Sequence, residues 1–121
     1  MKIVLIDDEI QFLDIIEDLL KANNSIKEII KIEDNTQLDQ VNFDEVKCIV
    51  SDFIMPKKNG VEVFQHLYEK YDVNLPPYFI FTSNPDMAKT EVEQRNALVR
   101  KVFAKSDFDN LEKEILELIN C

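Results

Sequence analysis

At 121 residues the chain is long enough for one hydrophobic core and too short for two. A formal charge of −10 disfavours nucleic acid as a partner, because phosphate binding needs clustered Lys and Arg; the same acidity also serves solubility. No apolar run approaches the roughly 20 residues that cross a bilayer, and "MKIVLIDDE" turns acidic too soon for a signal peptide, so one cytoplasmic domain over 1–121, away from membranes, is expected.

The continuous apolar run "KIVLI" (2–6) predicts a strand covered on both faces. Residues 9–22 predict a helix with Phe12, Ile15, Ile16, Leu19 and Leu20 toward the core and Glu17, Asp18 and Lys21 opposite. "EIIKIE" (28–33) is the second strand, and 35–43, with Leu38, Val41 and Phe43, is a weak helix at best. "VKCIVS" (46–51) reads as a central strand, and Gly60 to Tyr71 as a helix with Val63, Phe64, Leu67 and Tyr71 on one stripe. "PPYFIFTS" (76–83) is a strand entered through two prolines, which suit a strand start and not its middle. Residues 86–97 predict a polar helix with a poor apolar stripe, "KVFA" (101–104) a short fifth strand, and 107–120 a last helix carrying Phe108, Leu111, Ile115, Leu118 and Ile119. Ser106 with Asp109 three residues on resembles a capping box for that helix. Cys48, inside a strand, and Cys121, at the end, are expected as free thiols, and no CxxC or Cys/His cluster suggests zinc.

Strand–helix alternation repeated five times points to an α/β fold, a doubly wound parallel sheet with helices on both faces. Such sheets bind ligands outside the carboxyl ends of their strands. The residues there are Asp7, Asp8 and Glu9 after the first strand, Asp52 after the third, Thr82 and Ser83 after the fourth, and Lys105 after the fifth. Each has an ordinary role taken singly: an acidic helix start, a turn residue, a β-branched strand end, a solvated charge. Together they gather carboxylates, a hydroxyl and a lysine at one edge. Carboxylates so placed repel unless a cation sits among them, and oxygen ligands without His or Cys favour a hard ion such as Mg²⁺.

With these residues in view, the chain resembles the receiver domain of two-component response regulators, in its stand-alone, chemotaxis-type form, over essentially its whole length. "LIDDE" resembles the family's acidic pair, "SDFIMPKKNG" the phosphoacceptor pattern D-x-x-M-P-x-x-(D/N)-G, "FTS" the switch hydroxyl, and Lys105 the family's lysine. The resemblance implies a flavodoxin-like (βα)5 fold with a five-stranded parallel sheet in the order 2-1-3-4-5. It implies Asp52 as phosphoacceptor, with Thr82 and Lys105 serving the phosphoryl group. Asp8, Asp52 and the Ile54 backbone carbonyl would bind Mg²⁺, with Asp7 helping through water. A histidine kinase or histidine phosphotransfer protein would donate, and a downstream protein target would read the result. No enzymatic activity is implied beyond self-catalysed transfer to Asp52 and autodephosphorylation. Pro56 fixes its own φ and pushes Met55 toward extended backbone, which helps aim the Ile54 carbonyl, and Gly60 serves either backbone freedom or close packing.

The pattern departs from the family in two places. Val102 stands where an aromatic usually reports phosphorylation, with Phe103 one step away and hence on the opposite face of the strand. Ser106 follows the lysine in place of proline, and a trans Lys105–Ser106 bond is expected, since a non-proline cis bond costs about 2.5–4 kcal/mol. Phosphorylation is therefore expected to move the 83–105 surface through Thr82, without an aromatic rotamer change. A degenerate receiver, acting as a phosphorylation-independent binding module, is the second reading. A small aspartate-nucleophile phosphatase is a third, disfavoured because such enzymes want a second acid where Ile54 stands. His66 is expected as a solvated surface residue. With the last helix ending just before Cys121, no DNA-binding or catalytic output domain is expected.

Overall fold

The structure, a computed structural model, describes residues 2–22, 26 and 28–120; the expected free thiol of Cys121 lies outside them. The five apolar runs form strands β1 (Lys2–Ile6), β2 (Glu28–Ile32), β3 (Val46–Ser51), β4 (Tyr78–Thr82) and β5 (Lys101–Ala104). All pair in parallel, in the order β2-β1-β3-β4-β5. The α-helices are α1 (Ile10–Lys21), α2 (Gly60–Tyr71), α3 (Pro85–Gln94) and α4 (Phe108–Ile119). This is the doubly wound sheet expected from the alternation, with the flavodoxin-like strand order that the resemblance implies.

Period-two alternation splits the buried side chains of the strands between two cores. Ile3, Leu5, Cys48, Val50, Phe79, Phe81 and Phe103 meet Leu13, Ile16 and Leu20 of α1 and Leu111, Ile115 and Ile119 of α4. Val4, Ile6, Ile49, Tyr78 and Ile80 meet α2, through Val61, Val63, Phe64 and Leu67, and α3, through Ala88. Val102 joins this second core as a partly buried residue while Phe103 belongs to the first, so the two do lie on opposite faces. Cys48 is a buried free thiol whose pKa is pushed up to about 12 by burial.

Four local expectations change. The 35–43 segment forms only a 3₁₀ helix over Asn35–Gln40, a stretch in which Leu38 is the one buried residue and a capping box of Asp34 and Gln37 closes the start. In α1 the buried stripe is Leu13, Ile16 and Leu20, and Ile15 and Leu19 are exposed; the helix faces the sheet through one row at i, i+3 and i+7, and a wider apolar band overhangs it. Ser106 does not cap the last helix: the N-cap is Asp107, which makes no side-chain cap bond, since Lys105 and Ser106 form a turn closed by the Asp107 amide on the Ala104 carbonyl. Pro76 and Pro77 precede β4 and are not part of it, although the Pro77 carbonyl accepts the Ile49 amide at 2.9 Å and so guides β4 onto β3. No cis peptide bond occurs among the described residues, so Lys105–Ser106 is trans. No helix among them is long and apolar enough to cross a membrane.

Candidate functional site

The strand order reverses between β1 and β3, and the loops leaving these neighbours carry Asp7 and Asp52. Backbone bonds fix both loops: the Asp52 amide donates to the Ile6 carbonyl at 2.9 Å, and the Asp7 amide to the Ile32 carbonyl at 3.0 Å. Each carboxylate is then oriented in the same way. Asp7 Oδ1 accepts the Glu9 amide at 2.9 Å, and Asp52 Oδ1 accepts the Phe53 amide at 2.7 Å. The second oxygen of each, Oδ2, lies 3.2 Å from Lys105 Nζ. One ammonium thus bridges two buried carboxylates.

Lys105 reaches the site because the turn after β5 follows β4 closely: its amide donates to the Thr82 carbonyl at 2.9 Å. Its ammonium also lies over the face of Phe12, 3.8 Å from the ring centroid. Thr82 is buried at the end of β4, and its Oγ1 accepts the Asn84 amide at 3.1 Å.

Burial is the main electrostatic fact. Asp7 is only 3% exposed, and the crevice beneath it and Asp52 is lined by Leu5, Phe12, Leu13, Ile16 and Phe81. Desolvation there, with repulsion from Asp52, outweighs the Glu9 amide and Lys105 and raises the Asp7 pKa to about 6. For Lys105, burial acts to lower the pKa, but the charges of Asp7 and Asp52 and the bonds to them more than offset it, and the net shift is upward.

Asp8 is exposed and completes an acidic trio: carboxylate oxygens of Asp7, Asp8 and Asp52 lie within 4.8 Å of one another. Three carboxylates against one lysine leave excess negative charge, and the donor set is all oxygen, which fits a hard divalent cation. Ile54, two residues beyond Asp52, lies in the same loop with its side chain 51% exposed.

The turn after β3 is built around Gly60. Its φ is not positive, so close packing, and not conformational freedom, explains it. A Cβ there would collide with the Asp52 carbonyl oxygen and lie 3.1 Å from Phe53 Cα. The Gly60 amide donates to the Phe53 carbonyl at 2.7 Å, and its own carbonyl accepts the buried Tyr78 hydroxyl at 2.7 Å. Helix α2 therefore starts against the backbone of Asp52.

All the expected edge residues reach one end of the sheet, and Asp7, Asp8, Asp52 and Lys105 converge. His66 lies apart on α2, with Nε2 3.1 Å from Asp39 Oδ1. Sequence reasoning missed two parts. Asn59 caps α2, its Oδ1 accepting the Val61 and Glu62 amides at 3.0 and 2.9 Å while its Nδ2 donates to Glu91 on α3. The Asn59-x-x-Glu62 spacing was a readable sign of that cap. The second is Phe12, which reads as plain core; only the reach of Lys105 from the turn after β5 puts the ring under its ammonium.

Comparison with known proteins gives a consistent picture. The family described as "Response regulator receiver domain" matches residues 3–116. Among solved structures, a response regulator receiver domain protein from Clostridium thermocellum superposes with a TM-score of 0.79 at 21% identity, covering 98% of this chain and 94% of that one. The receiver domain of the Francisella response regulator 1452 gives 0.76 at 19%, covering 98% and 96%. The response regulator domain of Thermotoga maritima CheB gives 0.74 at 19%, covering 99% and 93%. No curated protein matches the sequence.

Proposed function

The chain belongs to the response regulator receiver domain family, and from this premise we propose that Asp52 accepts a phosphoryl group from a histidine kinase or a histidine phosphotransfer protein. The observation that carries the reading is the bridge: Lys105 Nζ at 3.2 Å from both Asp7 and Asp52, with Asp8 beside them, at the carboxyl edge of the sheet.

An oxygen of Asp52 attacks phosphorus as the bond to the donor's imidazole nitrogen breaks, and the nitrogen keeps the electron pair. The product is an acyl phosphate on Asp52. Bringing a phosphoryl group to a carboxylate sets like charges together, so the neighbours must supply positive charge. Lys105 is already seated to do so. Asp7, Asp8, Asp52 and the Ile54 carbonyl are the groups that would hold Mg²⁺, which when bound neutralises charge that Lys105 alone cannot. The Thr82 hydroxyl accepts the Asn84 amide and keeps its own O–H free to donate to a phosphoryl oxygen; turning toward that oxygen would pull the start of α3 toward the site. The surface from 83 to 105 then changes and is read by a downstream protein in the cytoplasm. The chain acts on no separate substrate, and hydrolysis of its own acyl phosphate ends the signal.

The test is incubation with Mg²⁺ and acetyl phosphate, read by intact mass. Addition of one phosphoryl group, absent when the metal is chelated beforehand, is expected. No addition would leave the phosphorylation-independent binding module, the reading that Val102 and Ser106 favour; turnover of a phosphate ester would point instead to a phosphatase.

A further inference from the structure

We propose that Phe12 is a positioning residue for Lys105, its ring face seating the ammonium between the Asp7 and Asp52 carboxylates. Three groups touch the Lys105 ammonium: Asp7 Oδ2 and Asp52 Oδ2, each at 3.2 Å, and the Phe12 ring, with its centroid at 3.8 Å. The ring is the one contact of the three that is not also a candidate metal ligand. A cation on the carboxylates draws their charge away from the lysine, whereas the ring face attracts an ammonium through its quadrupole and has no such competitor.

The ring also suits a lysine that has to move. Once Asp52 carries a phosphoryl group its carboxylate charge is gone, and the negative charge lies farther out on the phosphoryl oxygens. A π face attracts the ammonium with weak directional demand, so the side chain pivots across it without breaking a fixed hydrogen bond. The pivot itself is firmly held. Phe12 packs on Phe81 of β4 with ring centroids 5.8 Å apart, and the Lys105 amide is bonded to the Thr82 carbonyl next to Phe81. Helix α1 thereby takes part in placing the lysine, although the lysine leaves from β5.

The rate effect rests on the reading of Asp52 as phosphoacceptor; the seat itself does not, and two measurements on the full chain separate them. The first is NMR of the Lys105 ε-methylene protons without metal. An upfield ring-current shift is expected in the wild type and in Phe12→Tyr, and its loss in Phe12→Leu, with Phe12→Met as the alternative where the Leu variant does not fold. The second is the initial rate of phosphoryl uptake from acetyl phosphate with Mg²⁺. Phe12→Leu is expected to be about 5- to 30-fold slower, and Phe12→Tyr within about twofold of wild type, as a ring–ammonium attraction in a partly buried site implies. A wild type with no ring-current shift, a Leu variant as fast as wild type, or a Tyr variant as slow as Leu overturns the proposal. A wild type that takes up no phosphoryl group refutes the acceptor reading instead, and the NMR shift still decides whether the ring seats the lysine.

Discussion

Asp7 carries the electrostatic cost of this site. Its folded-state pKa of about 6 lies above the ordinary carboxylate value because burial and the Asp52 charge outweigh Lys105. Between the unfolded value of 3.8 and about 6 the native chain binds more protons than the unfolded one, so the contribution of Asp7 to stability falls as pH rises through that window. Asp7→Asn removes the effect while leaving an oxygen for the Glu9 amide. In metal-free protein we expect Asp7→Asn to melt several degrees above wild type at pH 7.5, on the order of 1–3 kcal/mol, with the gap closing toward pH 4. Thermal denaturation at both pH values checks this, and a wild type that melts higher at pH 7.5 would contradict it.

Gly60 and the helices show how far elements could be read from residues. The clash that a Cβ at Gly60 makes with Asp52 and Phe53 is with backbone, which cannot swing aside as a side chain can. Gly60→Ala is therefore expected to destabilise the fold by about 1–3 kcal/mol and to displace Asp52, measured by denaturant melts and by slower phosphoryl uptake. Unchanged stability would mean that α2 starts with slack. Strands β3 and β5 and helix α2 follow the sequence residue for residue, because each is bounded by abrupt chemistry: Ser51 to Asp52, Ala104 to Lys105, and Gly60 after Asn59. The 3₁₀ segment and the exposed Ile15 and Leu19 were less legible. Whether a short apolar patch turns inward depends on how much sheet lies beneath it, and no local pattern encodes that. The edge carboxylates and lysine could be named from strand ends alone, whereas the Phe12 seat depends on the contact of a turn with a distant helix. Helix α3 buries only Ala88 fully and is tied to α2 by polar contacts, Asn59 to Glu91 and Arg95 to Gln65, so it is the element best suited to shift. Phe103, by contrast, is 6% exposed and packed on Phe79. Beryllofluoride-bound and free structures are expected to differ at 83–105 with the Phe103 rotamer unchanged; a Phe103 ring swung to the surface would contradict this.

Over the whole molecule the formal charge is −10, and three carboxylates are gathered at one sheet edge around a single bridging lysine. A fold selected for stability alone would gain by replacing such a cluster with apolar residues. Its presence in a chain of the receiver family makes chemical sense if Asp52 is the group that reacts. Acidity throughout the chain also strengthens the local field that a divalent cation would relieve. The most direct measurement is to locate the phosphoryl group itself. Wild type and Asp52→Asn would be incubated with Mg²⁺ and acetyl phosphate, the acyl phosphate trapped by borohydride reduction, and the modified residue found by peptide mass mapping. Modification at Asp52 in the wild type and none in Asp52→Asn is the predicted result; modification at Asp7 or Asp8, or none in the wild type, would contradict the account.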